Sequence, residues 1–248
     1  MSMLRHYASV LTKLHDSRAV REMALSGGAY KRSEDRACPC CNFAGKFAST
    51  GVPPRHQALC PQCGSVERHR LFRLLNPEFA DKRVLHFAPE AIISDWIKQC
   101  SPAYYQTADL SGRNVDRALD VEALDLPSES LDMVLFFHVL EHVDDSRALA
   151  ELFRVLAPGA KLFIMVPIIE GWDETYEDAS QTTDEQRARA FGQFDHVRFY
   201  GRDLRQRITA AGFGLEEFTA GPVNSPEFGL IRGEKVFICT RPDEENTQ

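Results

Sequence analysis

The chain has 248 residues, 44% of them hydrophobic and 26% charged, so it can bury one sizeable core and a small appendage. That balance excludes a disordered, collagenous or coiled-coil protein. No apolar run reaches the roughly 18 residues of a membrane helix, and charge interrupts the first twenty residues too often for a secretory signal, so a cytoplasmic location is expected. The formal net charge of −7 argues against a chain that binds phosphate backbones over its whole surface. Its distribution is uneven. Residues 1–82 carry 13 Lys+Arg against 7 Asp+Glu, while the remainder carries 16 against 29.

Apolar residues at Leu4, Tyr7, Ala8, Leu11 and Leu14 have helical spacing, which predicts one or two helices over Leu4–Leu25. Gly27, Gly28 and a charged run then lead into a cysteine-rich segment. Residues 1–37 thus form an N-terminal helical segment, and 38–82 hold the cysteines and a helix over Val66–Leu75 that Asn76 and Pro77 terminate. From residue 83 to 241 short apolar runs alternate with helical stretches, the pattern of a parallel sheet with crossover helices in an α/β fold. Strands are predicted at 83–88, 104–109, 118–121, 131–138, 160–167, 214–219 and 235–240, with helices near 91–99, 146–156 and 202–211. Pro158 and Gly159 are expected to end the middle helix. The stretch Ile168–Tyr200 is long for a connection and is expected to be an irregular lid or substrate insert. Residues 242–248 form a tail.

Five of seven cysteines lie within residues 38–63. Cys38 and Cys41 are separated by two residues, as are Cys60 and Cys63, with eighteen residues between the pairs. This spacing fits a four-thiolate structural zinc site. Asn42 stands where the first knuckle would favour glycine, which asparagine can replace because it visits the left-handed region readily. Cys40 is surplus.

The segment from Val84 to Arg241 resembles the class I S-adenosylmethionine-dependent methyltransferases, in particular the type 11 group. The motifs are VLHFAPE (84–90), TADLSG (107–112), LDVEALDLPSESLDMVLFFHVLEHV (119–143), ELFRVLAPGAKLFIMVP (151–167) and AAGF (210–213). It is also similar to a subset in which CPQCGSVERHR (60–70) and FGQFDHVRFYGRDL (191–204) accompany the domain. The resemblance implies a Rossmann-like seven-stranded sheet, six strands parallel and a seventh antiparallel near one edge, with the cofactor beyond the strands' carboxyl ends. The chain departs from the family at the first loop. Ala88, Pro89 and Glu90 replace the usual glycine-rich run, and His86 stands where an acidic residue is common.

Carried over residue by residue, the resemblance assigns S-adenosylmethionine to His86, Ala88, Pro89, Glu90, Asp109, Leu110, Asp120, Val121 and His138. Asp109 would accept from the ribose hydroxyls, or serve only the DLSG turn. Asp120 would take the adenine amino group beside the Val121 backbone, or close a turn. Glu90 would meet the cofactor's ammonium. His138 ends the fourth strand as a catalytic candidate or a structural histidine, followed by Glu141 and His142.

From the insert, His196 is the expected base, Arg198 the anchor for an anionic group on the acceptor, and Tyr200 a hydrogen bond or ring wall. The rival role for all three is to pin the insert to the core. The expected reaction is methylation of O or N on a small polar acceptor, a sugar or other metabolite. One rival acceptor is RNA, delivered by the basic ribbon, the helix Glu67–Arg70 and the rings of Phe43 and Phe47. Another reading, supported by the missing glycines, is a binding module that kept the fold without the chemistry.

Overall fold

The computed structural model describes residues 34–51 and 54–243; the helices expected over Leu4–Leu25 lie outside them. The cysteine segment forms two small antiparallel pairs, β1 (Arg36–Ala37) with β2 (Ala44–Gly45), and β3 (Ala48–Thr50) with β4 (Arg55–Leu59). Helix α1 (Glu67–Leu75) follows and ends at Asn76, which is left-handed with φ 48°.

The alternating region gives β5 (Arg83–Phe87), α2 (Ala91–Gln99), β6 (Tyr104–Asp109), β7 (Arg117–Ala118) and β8 (Leu131–Phe137). A single turn of 3₁₀ helix (Leu140–His142) leads into α3 (Asp145–Val155) and β9 (Leu156–Met165). After β10 (Tyr176–Glu177), α4 (Asp184–Phe191), β11 (Arg198–Phe199) and α5 (Leu204–Ala210), the fold closes with β12 (Gly214–Thr219), α6 (Asn224–Phe228) and β13 (Lys235–Thr240). The main sheet has seven strands in the order β12-β13-β9-β8-β5-β6-β7. Only β13 runs antiparallel to its neighbours, as the resemblance implied.

Alternation along the strands splits the core into two layers. Leu85, Phe87, Val134, Phe136 and Ile164 face α3 and α5, where Leu149, Leu152, Leu204 and Ile208 are buried. Val84, Met133, Leu135, Phe137 and Phe163 face the other way, onto α1 and α2. Phe72 of α1 sits at the centre of that layer, its ring 4.8 Å from Phe137 and 5.4 Å from Phe163. The helix after the ribbon is therefore built into the sheet's core.

Several expectations need correction. The strand expected at 118–121 is only Arg117–Ala118: the Leu119 N–H reaches the Asp109 carbonyl and Asp120 then caps a turn by accepting from the Glu122 N–H. Helix α3 ends at Val155, before Pro158 and Gly159, and runs directly into β9. Those two residues occupy a register shift of β9 against β8, with Leu131 opposite Leu156 and Met133 opposite Lys161. Nor is the insert irregular. β10 pairs with β11, and α4 between them starts at a reciprocal cap in which the Thr183 hydroxyl accepts from the Gln186 N–H and Gln186 returns the bond to the Thr183 N–H.

Candidate active site

In an open α/β sheet, ligands bind at the carboxyl edge where neighbouring strands connect in opposite directions. Here that point lies between β5, followed by β6 on one side, and β8 on the other. The two strands are in register, with Phe87 opposite Phe136. Each ends in a non-glycine residue forced into the left-handed region, Ala88 at φ 45° and His138 at φ 54°. Such a conformation costs about 1–2 kcal/mol per residue and concentrates at functional sites. Ala88 thus adopts a glycine-like conformation where the family has glycines.

A cavity of about 340 Å³ opens above these two ends, lined by Arg68, Ala88, Glu90, Phe137, His138, Glu141, His142, Pro167, Gln193 and His196. It brings together residues from the first loop, the turn after β8, the insert and α1. Of the residues singled out from sequence, it collects Ala88, Glu90, His138 and His196, together with Glu141 and His142 of the HVLEH turn and Arg68 of the ERHR helix. His86, Asp109, Leu110, Asp120, Val121, Arg198 and Tyr200 are not among its lining residues.

Asp109, Leu110 and Asp120 follow along the same edge, past β6 and β7. Asp109 Oδ1 accepts from Ser111 Oγ (2.9 Å) and the Gly112 N–H (2.6 Å), so one oxygen already serves the turn. Leu110 is 75% exposed, a large apolar side chain lying open at the sheet's edge, while Val121 is buried. Pro89 is half-buried beside Ala88.

His86 is a correction. It is fully buried on the α1–α2 side of the sheet, its Nδ1 3.0 Å from the Tyr105 hydroxyl, and burial pushes its pKa down to about 4. Alternation decides this, since a residue two before Ala88 within a central strand points into a core layer. Glu90 is also committed elsewhere. Arg68 Nε donates to it at 3.0 Å and His69 Nε2 lies 2.8 Å away. Burial raises the Glu90 pKa, but these two partners outweigh it and hold the group at about 2. The ERHR helix therefore braces the glycine-free loop.

Its other charges are consumed in the same way. Glu67 takes two bonds from Arg55, and the buried Arg70 donates to the carbonyls of Ala58, Ser65, Phe228 and Gly229. Phe47 packs beneath the Arg70 guanidinium, 4.6 Å from ring centre to Cζ, and is only 4% exposed. Arg70 and Phe47, named for the rival acceptor, are thus turned inward, while Phe43 is half-buried.

Arg198 and Tyr200 are corrected too. Arg198 donates to the Leu140 and Val143 carbonyls, and Tyr200 donates to the Leu140 carbonyl and Asp145. Both are buried. They fasten the insert beneath the turn after β8, outside the cavity, so the anchor expected at Arg198 is a pin.

The cysteines form the second centre. Cys38, Cys41, Cys60 and Cys63 bring their sulfurs within 4.8 Å of one another, and the Cys38–Cys63 and Cys41–Cys60 pairs are each 3.7 Å apart. A tetrahedral zinc ion with bonds of about 2.3 Å needs sulfur separations of about 3.8 Å. The two knuckles are near copies: the Asn42 N–H bonds the Cys38 carbonyl and the Gly64 N–H bonds the Cys60 carbonyl. Asn42 and Gly64 are both left-handed, at φ 61° and 74°, and Cys40 is not among the four. The donor set fits a structural zinc ion.

Residues 98–164 match the family described as a methyltransferase domain. No curated protein matches the chain. Among solved structures, the complex of the Haloferax volcanii Trm112 methyltransferase activator superposes with a TM-score of 0.51 at 14% identity, covering 71% of this chain and 88% of that one. The [4+2]-cyclase SpnF gives 0.50 at 15%, covering 83% and 88%. An S-adenosylmethionine-dependent methyltransferase from Mesorhizobium loti gives 0.48 at 16%, covering 68% and 94%. Residues 98–164 thus match a methyltransferase domain, and the seven-stranded sheet has the Rossmann-like fold of these structures. Outside the matched residues lie the four-cysteine ribbon, the ERHR brace and the pinned insert.

Proposed function

We propose that the chain transfers a methyl group from S-adenosylmethionine to an oxygen or nitrogen of a small polar acceptor held in the cavity between β5 and β8. The observation that carries this reading is the cavity's position at the carboxyl-edge switch point, floored by two left-handed strand ends. The similarity to a cyclase is a reminder that the fold alone does not select the reaction.

The edge suits the cofactor. Asp109 can offer its second carboxylate oxygen to the ribose, and the exposed Leu110 offers an apolar cover for the adenine, with Asp120 and Val121 at the ring's far side. Ala88, small and left-handed, leaves the first loop open to the methionine portion, and Pro89 stiffens it. Glu90 acts through this loop, by fixing it to Arg68 and His69, instead of meeting the cofactor's ammonium.

When bound, the cofactor supplies a methyl already made electrophilic by its sulfonium. The protein's part is to orient the acceptor and receive its proton. His138 lines the cavity floor with 38% of its side chain exposed, its Nδ1 toward Glu141 and its Nε2 buried without a partner. His196 is more deeply set, and burial lowers its pKa, which keeps it neutral and able to accept. A cavity of this size admits a metabolite better than a folded macromolecule.

Calorimetric titration with S-adenosylhomocysteine tests the assignment. Asp109→Ala removes charge-assisted bonds of about 1.5–3 kcal/mol each, so affinity should fall about tenfold or more. Unchanged affinity would return Asp109 to the turn alone.

A further inference from the structure

Among the described residues, Glu141 is a buried carboxylate with both oxygens unpartnered. Only 2% of its side chain is exposed. The nearest imidazole is that of His138, whose Nδ1 lies 3.4 Å from Oε1 without forming a hydrogen bond. Burying a carboxylate without partners is strongly unfavourable, so such groups are paired or bind a cation. Two histidines complete the arrangement. One donor atom from each of Glu141, His142 and His196 lies within 4.8 Å of the others.

The imidazoles are prepared in the way metal ligands are. His142 Nδ1 lies 3.1 Å from the Asp195 backbone carbonyl, which fixes Nδ1 as the protonated nitrogen and leaves the Nε2 lone pair free. The His196 ring stands at 84° to His142 with centres 4.7 Å apart, and its buried Nδ1 has no partner. The Val197 N–H bonds the Glu141 carbonyl at 3.0 Å, locking insert and turn together. All three residues line the cavity.

We propose that Glu141, His142 and His196 hold a divalent first-row transition cation at the cavity floor. Two imidazoles and one carboxylate suit such ions and leave coordination positions open. All three residues line the cavity assigned to the acceptor, so a cation they held would supply Lewis acidity to an acceptor oxygen there. The acceptor class this implies has a hydroxyl or carboxylate oxygen at or next to the methylated atom. His196 then acts as a ligand, and His138 remains as the free imidazole for the proton. Cation binding does not depend on the methyl-transfer reading, and it is measured without the cofactor.

The test uses full-length protein with its ribbon saturated with zinc, so that the cysteines do not compete, and Mn²⁺ followed by electron paramagnetic resonance. The expected result is one Mn²⁺ per chain, a cation-induced rise in melting temperature, and at least a tenfold loss of affinity in Glu141→Gln. Without added cation, Glu141→Gln should melt no lower than the parent, because neither carboxylate oxygen has a hydrogen bond to lose. His196→Asn provides a second variant, and a cooperative thermal melt of each variant shows that both are folded. No uptake of Mn²⁺ or Co²⁺ by the parent at millimolar concentration would overturn the site. Uptake that Glu141→Gln leaves unchanged would overturn it equally, as would a Glu141→Gln protein that is destabilised without cation and has lost no cation response.

Discussion

His86 shows how one buried titratable group sets an acid limit on this fold. Its pKa is about 4 in the folded chain, because burial disfavours the charged ring; the ordinary value is about 6.5. The folded state therefore favours the neutral ring. Its stabilising contribution is complete above pH of about 6.5 and is lost as pH falls through the folded value, a loss of about 3 kcal/mol. Glu90, held at about 2, acts in a lower window, from about 4.5 downward. Thermal melts between pH 7 and 4 should show the parent losing stability and His86→Gln losing less. Parallel curves for the two proteins would remove His86 as the cause. Arg198 makes the complementary point about sequence. Its carbonyl partners at Leu140 and Val143 lie 58 and 55 residues away, so nothing local distinguished a buried pin from a substrate anchor. Arg198→Met should destabilise the fold by about 3–5 kcal/mol, while affinity for S-adenosylhomocysteine in the folded fraction stays within a factor of a few. A variant that keeps its melting temperature but loses turnover would restore the anchor role.

At the level of elements, the ribbon is tied to the sheet at defined points. Arg70 bonds Ala58 and Ser65 on the ribbon side and Phe228 and Gly229 beside α6, while α1 itself lies in the core. Loss of the metal should therefore reach the active-site loop through α1, Arg68 and Glu90. Elemental analysis should find one zinc per chain bound at the ribbon. Cys60→Ser should lose it, lower the melting temperature and weaken cofactor binding, whereas Cys40→Ser should keep it. A metal-free parent with the same melting temperature would contradict the structural role. The elements also show what the sequence made legible. Core strands announced themselves because buried parallel strands are continuous apolar runs, and the zinc ligands did because two-residue spacing within a knuckle is a local rule. The edge strand expected at 118–121 was legible in place but not in extent, because only Arg117–Ala118 pairs with β6. Helix α4 was missed although TDEQ at 183–186 carries its capping signal.

For the whole molecule, the sheet brings three distant segments to one edge: the first loop after β5, the turn after β8 and the returning insert. The order of strands was readable from the motif series, but the polar traffic between segments was not. Glu90 finds Arg68 across 22 residues, and Tyr200 finds Leu140 across 60. Glu141 and His142 stood in plain view in HVLEH, three and four residues after His138 and so on one side of a helical turn; their significance emerged only when the insert delivered His196 to the same place. The glycine-poor first loop, read from sequence as a weakness, is compensated by Ala88 in a left-handed conformation and by the brace from α1.

The most direct measurement of the central claim is a crystal structure of the zinc-loaded protein with S-adenosylhomocysteine. The ligand should lie along the carboxyl edge, with its ribose at Asp109, its adenine against Leu110 and its sulfur directed into the cavity of Ala88 and His138. A ligand bound elsewhere, or no occupancy of that edge at millimolar concentration, would contradict the assignment of this cavity as the site of methyl transfer.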